Sequence, residues 1–115
     1  VGSKALAGLA ERALRGEMVS DDAIRAEIAP CFVECEGRRT DTVVLACTHY
    51  PLLLDRLRAL APWTVEWIDP APAIARRVKQ VLGLEAKGRG TVRARFTAGA
   101  IRNSDVIESL GLQFD

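Results

Sequence analysis

A thiol, a hydroxyl and an imidazole follow one another where an apolar run ends, in Val43-Val44-Leu45-Ala46-Cys47-Thr48-His49-Tyr50-Pro51. A short run of Val and Leu closed by a turn signal reads as a buried strand. The ends of parallel strands are where α/β sheets place their reactive groups. Side chains alternate along a strand, so Cys47 and His49 face the same side if the extension persists. Pro51 suits the first turn of a helix, where its missing N–H is no loss. The unpaired N–H groups of such a helix attract anions and favour a thiolate. Thiol, imidazole and helix terminus on one loop imply cysteine chemistry on an anionic substrate.

The rest of the chain supplies the elements that would hold this loop. Leu6, Leu9, Ala10, Ala13 and Leu14 recur at helical spacing after Ser3, a candidate cap, and Gly16 can end that helix. Ser20-Asp21-Asp22 starts a second helix with acids in its first turn, carrying Ala23, Ile24 and Ile28 and extending toward Phe32 and Val33. Pro30 would kink or end it. Gly37 to Thr40 is a polar connection, and Thr42 to Ala46 is the strand that leads to Cys47. Pro51 to Leu60 is a helix with Leu53, Leu54, Leu57 and Leu60 on one face. Thr64 to Ile68 is a second strand, Pro72 to Leu82 a helix, Gly83 to Gly90 a charged glycine-rich loop, Thr91 to Thr97 a third strand, and Asp105 to Leu110 a last helix ended by Gly111. Strands that alternate with helices predict an α/β fold, a parallel sheet flanked by helices. Three strands cannot make a parallel sheet covered on both faces, so the fold is expected to be an incomplete part of a larger one.

Length and composition fit this reading. The 115 residues allow one ordinary domain or part of a larger protein, and 49% hydrophobic content argues against disorder. No segment approaches the roughly 20 apolar residues of a membrane span, and the first residues lack a secretory pattern. Residues 1–60 hold eight basic and nine acidic groups, whereas residues 70–102 hold eight basic groups against Glu85 alone. With Phe96 the only aromatic residue in that basic stretch, a solvated face is favoured over a nucleic-acid surface. Three cysteines cannot form a complete disulfide framework, and free thiols suit a reducing cytoplasm. Cys31, Cys35, Cys47 and the lone His49 make a poor zinc set, so no metal is expected.

Cys47-Thr48-His49-Tyr50-Pro51-Leu52-Leu53 resembles the Gly-Cys-Thr-His-(Tyr/Phe)-Pro-Leu-Leu signature of glutamate racemases. The likeness extends to Gly2-Ser3, Leu9-Ala10-Glu11, Leu14, Gly16-Glu17, Val19-Ser20 and Ala29-Pro30 before the signature, and to Ile68-Asp69 and Ala73-Ile74-Ala75-Arg76-Arg77 after it. It covers most of residues 1–83 and thins out afterwards. The resemblance implies a cofactor-independent isomerase that interconverts L- and D-glutamate for cell-wall peptidoglycan, in the cytoplasm, between two similar α/β domains. Each domain of such an enzyme supplies one catalytic cysteine, on opposite sides of the substrate Cα. Inversion needs a proton to leave one face and return to the other, and a thiol can act as base or acid. On this likeness Cys47 is the second catalytic cysteine, His49 assists it and Thr48 holds the substrate. Residues 1–68 would be the end of the second domain, and residues 69–115 would return to the first. The expected partners are glutamate and either a missing N-terminal half or a second copy, with no nucleic acid and no membrane.

The sequence departs from that pattern at three places. The half that holds the other cysteine is not among these residues. Ala46 stands for the glycine before the thiol, and Pro70-Ala71 for Ser-Gly after Asp69. The glutamate of the family's early helix aligns with Gly8, which has no carboxylate, and Glu11 could replace it only in a different register. The alternatives are a non-catalytic, degenerate module, a cysteine racemase for another acidic amino acid, and a cysteine hydrolase, for which no oxyanion-hole motif is present. Taken singly, Cys47 could be a buried inert thiol, His49 a core histidine, Thr48 a loop-bonding residue and Asp69 a helix cap. Cys31 and Cys35 read as structural, and Trp63 and Trp67 as packing groups.

Overall fold

The computed structural model describes residues 1–83. The predicted third strand, the loop beyond Gly83, the last helix and most of the basic stretch lie outside the described residues.

Helix α1 spans Leu6–Leu14. Ser3 sets its start, because its Oγ accepts the Leu6 backbone N–H at 2.9 Å while its hydroxyl donates to Glu27. Gly16 ends it with a φ of 73°. The backbone N–H groups of Gly16 and Glu17 reach back to the carbonyls of Ala13 and Arg12, the paired bonds of a Schellman stop that a left-handed glycine permits. Helix α2 spans Asp21–Ile28, with Asp21 and Asp22 in its first turn. A 3₁₀ turn at Ala29–Cys31 carries Pro30, so the helix stops where the proline was expected to end it.

Phe32 and Val33 do not continue α2. The chain instead forms a small antiparallel hairpin, β1 (Glu34–Cys35) and β2 (Arg38–Arg39), across residues expected to be helix end and polar connection. Glu36 and Gly37 make its two-residue turn with φ of 52° and 72°, the mirror-image turn that matches strand twist. Strand β3 (Thr42–Val44) pairs in parallel with β4 (Glu66–Ile68), in the register Thr42 with Glu66, Val43 with Trp67 and Val44 with Ile68. Between them lie a 3₁₀ turn, Tyr50–Leu53, and α3, Leu54–Leu60. The helix expected from Pro51 thus opens as a tighter turn. Helix α4 spans Ala71–Leu82, and the Asp69 carboxylate accepts the Ala71 N–H at 2.9 Å, the capping role expected of it.

The core lies on one side of the parallel pair. Leu6 and Ala10 of α1, Ile24 and Ile28 of α2, and Leu53 and Leu57 close over Leu45, with Ile24 and Leu57 fully buried. Phe32 meets the edges of Trp63 and Trp67 at centroid distances of 5.2 and 6.2 Å, so the two tryptophans pack as expected. The Trp63 indole donates to the Thr40 carbonyl at 2.7 Å. Arg56 clamps α3 to the start of α2 by donating to the Val19 carbonyl at 2.7 Å and to Asp21. The shared core, through Leu6, Ala10 and Leu53, holds α1 against the turn that follows β3.

Candidate functional site

Strand β3 delivers the chain to the site and Leu45, 3% exposed, pins its end in the core. The extension does not persist beyond it. Cys47, Thr48 and His49 form a turn in which the Tyr50 N–H bonds the Cys47 carbonyl at 3.3 Å and the Leu52 N–H bonds the His49 carbonyl at 3.1 Å. The turn, not strand alternation, brings the two side chains together. Cys47 Sγ lies 3.8 Å from His49 Nδ1, and Thr48 Oγ1 lies 3.5 Å from the same nitrogen.

The other imidazole nitrogen reaches α1. His49 Nε2 is 3.0 Å from Glu11 Oε1. An ionised carboxylate only accepts, so Nε2 carries a proton and Nδ1 of the neutral ring presents its lone pair to the sulfur. The series Glu11–His49–Cys47 can therefore take the thiol proton. The resulting ion pair is favoured from both sides. The Cys47 thiol is held below its ordinary value, chiefly by the His49 backbone N–H and then by its imidazole. His49 is held above its ordinary value, by Cys47 first and by Glu11 after the opposing effect of desolvation. The Tyr50 N–H, at the start of the 3₁₀ turn, favours the thiolate as well, after the contributions of His49. A cavity of about 440 Å³ opens on Cys47 and Thr48 and is walled by Pro51, Asp69, Pro70 and Ile74. Among the described residues no cluster of His, Cys, Asp and Glu has the makings of a metal site, and no helix is long and apolar enough to cross a membrane.

No protein-family model matches this chain. It is 65% identical over 103 residues to the glutamate racemase of Mesorhizobium japonicum, covering 86% of this chain and 39% of that protein. It is 58% identical over 102 residues to the glutamate racemase of Agrobacterium fabrum, covering 86% and 37% respectively. The fold matches the crystal structure of Escherichia coli glutamate racemase in complex with L-glutamate and the activator UDP-MurNAc-Ala, with a TM-score of 0.76 and 32% identity over 99% of this chain and 44% of that one. Over most of its length the chain is similar to one segment of glutamate racemases.

It spans between 31% and 44% of the length of the racemases quoted and of the one from Sinorhizobium medicae. A parallel sheet flanked by helices, as part of a racemase fold, is what the sequence led one to expect, and the neighbouring racemase structure bears it out. The expectation about Gly8 needs correction. The carboxylate that reaches the histidine in this chain comes from Glu11, one turn further along α1. Gly8 is exposed, and a Cβ there would meet nothing within 4 Å. The face of α1 that packs on the 3₁₀ turn is fixed by Leu6 and Ala10, which are buried against Leu53. The signal for Glu11 was available in its neighbour: a residue just after buried Ala10 sits at the edge of that contact. Cys31 lines an apolar cavity and Cys35 is exposed on the hairpin, so neither joins the site.

Proposed function

We propose that this chain supplies one of the two proton-transfer half-sites of a glutamate racemase. Cys47 is the base and acid on one face of the substrate Cα, His49 holds and relays its proton, Glu11 positions His49, and Thr48 binds the substrate. The observation that carries this reading is the unbroken series from Glu11 through His49 to Cys47, with separations of 3.0 and 3.8 Å. In one direction the Cys47 thiolate takes the Cα proton and the electron pair stays on the substrate. A thiol on the opposite face then delivers a proton to that pair, which inverts the centre. In the reverse direction Cys47 is the donor. A thiol is suited to both steps when its pKa is drawn toward neutrality, and positioned acid–base groups contribute about 10²- to 10⁴-fold each.

The second cysteine, the remaining substrate contacts and the enclosing domain would belong to the part of the racemase that these residues do not span. Residues 1–68 would close the second domain and residues 69–115 would return toward the first. The reaction needs no cofactor and would supply D-glutamate for peptidoglycan in the cytoplasm. The test is a full-length racemase that contains these residues, assayed for inversion by circular dichroism and for Cα deuterium exchange by NMR. Cys47→Ala is expected to abolish inversion, and turnover at the parent rate would overturn the assignment. Glu11→Gln is expected to lower kcat with little change in KM, because it acts through His49 and not on the substrate.

A further inference from the structure

Helix α1 carries Glu11 to His49. Among the described residues, side-chain hydrogen bonds tie this helix to other elements at two places. One is the contact of Glu11 with His49 itself. The other is its start, where Glu27 of α2 accepts the Ser3 hydroxyl and, at 3.3 Å, the Ala5 N–H. Ser3 passes the contact on, because its Oγ accepts the Leu6 N–H at 2.9 Å. Two amides that no carbonyl of the helix can reach are thus met from α2, one directly and one through Ser3. A carboxylate also suits this end of the helix dipole. The Glu27 carboxyl is held below its ordinary range, chiefly by the Ser3 hydroxyl and then by the Ala5 N–H. At the far end of α1, Arg12 and Arg15 pair with Glu17 and so bind the helix only to its own exit.

Helix α2 is in turn fixed to the element that holds His49. Its Ile24 is fully buried in one core with Leu57 of α3, and Arg56 of α3 donates to the Val19 carbonyl at 2.7 Å and to Asp21. Helix α3 continues the 3₁₀ turn that opens next to His49. The elements close a ring: Glu11 on α1, Ser3, Glu27 on α2, α3, the turn, and His49 back at Glu11. Within it Leu6 and Ala10 choose the face of α1. Apolar contact is non-directional, however, and does little to resist sliding along the helix axis. Glu11 lies about 7.5 Å beyond Leu6 on that axis, at about 1.5 Å per residue. Its oxygen is 3.0 Å from His49 Nε2, so a slide that lengthens the contact by about 0.5 Å takes it out of hydrogen-bond range.

We propose that Glu27, acting through Ser3, is a positioning residue for proton transfer at Cys47: it sets the place of α1 along its axis and so the reach of Glu11 to His49. The proposal rests on the roles given to Glu11, His49 and Cys47, and extends them to a residue of α2 that does not line the cavity at Cys47. The charged groups around the proton path are Glu11 of α1, with Arg15 3.8 Å from its second oxygen, and Asp69 in the cavity wall. Glu27 bonds to none of these, so it acts by holding α1 in place and not by its own charge.

Alkylation of Cys47 in the 115-residue chain, followed against pH by mass spectrometry, is the test. The upward shift of the midpoint in Glu11→Gln sets the scale. Glu27→Ala and Ser3→Ala should each move the midpoint upward by about half of that shift or more. Ser3→Thr keeps the hydroxyl and Glu27→Gln keeps an acceptor, so both should stay near the parent midpoint. In the Glu11→Gln background Glu27→Ala should add nothing, because the residue it positions is gone. Trp63→Phe, which gives up the indole bond to Thr40 away from the site, should lower stability in urea and leave the midpoint in place. If Glu27→Ala loses the fold by circular dichroism, Ser3→Ala, which removes one hydroxyl, carries the comparison. Parent midpoints in the folded alanine variants, an undiminished shift on top of Glu11→Gln, or a midpoint that tracks stability with Trp63→Phe included would overturn the proposal. The two readings part cleanly. A midpoint that Glu11→Gln does not move overturns the proton path and the proposal together, whereas one moved by Glu11→Gln but by neither alanine variant overturns the role of Glu27 alone.

Discussion

At the scale of residues, the site is a short proton path whose two ends are set by different elements. His49 is caught between an acceptor, Glu11, and a sulfur, Cys47, and both bias it toward the charged form. Cys47 is biased the other way. Drawing the two values together favours thiolate and imidazolium over the neutral pair. The sign for reactivity follows: the thiolate of Cys47 persists to lower pH than that of an ordinary thiol. Alkylation followed by mass spectrometry should find Cys47 more reactive than Cys35 at pH 7, although Cys35 is the more exposed. Reactivity ranked by exposure alone would contradict this. His49→Gln should move the pH midpoint of Cys47 alkylation upward, and Glu11→Gln should move it upward by less, since Glu11 acts only through the imidazole. The chain Cys47-Thr48-His49 was legible in the sequence because its residue types are adjacent. Glu11 is legible only indirectly, because it is 38 positions away from His49 and only the packing of α1, signalled by its neighbour Ala10, brings it there.

At the scale of elements, buried contacts decide what local preference leaves open. The core positions Leu6, Ala10, Ile24, Ile28, Leu53 and Leu57 follow the helical spacing that the sequence displays. The caps at Ser3, Gly16 and Asp69 were equally readable, since each depends on one residue type at one place. The hairpin from Glu34 to Arg39 was not, because a Glu-Gly turn is a weak signal and the apolar Phe32 and Val33 mimic a continuing helix. Phe32 is drawn away by Trp63 and Trp67 instead. Two substitutions separate packing from chemistry. Gly8→Ala in α1 should raise stability by about 0.5–1 kcal/mol, since the glycine is exposed, within a helix and free of steric demand. Leu57→Ala, at a fully buried position, should lower it by about 2–5 kcal/mol. Urea unfolding of the chain measures both. Gly8→Glu in a full-length racemase should give no gain in turnover, because the carboxylate at His49 is already Glu11; a clear gain would restore Gly8 as the missing catalytic position.

At the scale of the whole molecule, what matters is which side of the parallel pair the described residues cover. One side of the parallel pair is buried by α1, α2 and α3, and this suffices to hold Glu11, His49 and Cys47 in line. Among the described residues, Val44 and Ile68 on the other side are exposed, and Ile74, Val78 and Val81 recur along α4 with about half or more of their surface exposed. Exposed apolar side chains in such number mark a surface suited to a partner. The catalytic consequence is sharper than the structural one. Inversion at Cα requires a proton taken from one face and another given on the opposite face, and the described residues bring one thiol to the candidate site. The substrate also needs both carboxylates fixed, and much of the rate of such a reaction comes from that positioning. The 115 residues alone should therefore leave the circular dichroism of L-glutamate unchanged over a time in which a full-length racemase reaches equilibrium. Supplying the remaining part of a racemase, in the same chain or separately, should restore the signal change, and Cys47→Ala in that assembly should remove it again. Inversion by the isolated chain would refute the two-base scheme, since a single thiol returning its own proton to the same face yields only the starting enantiomer.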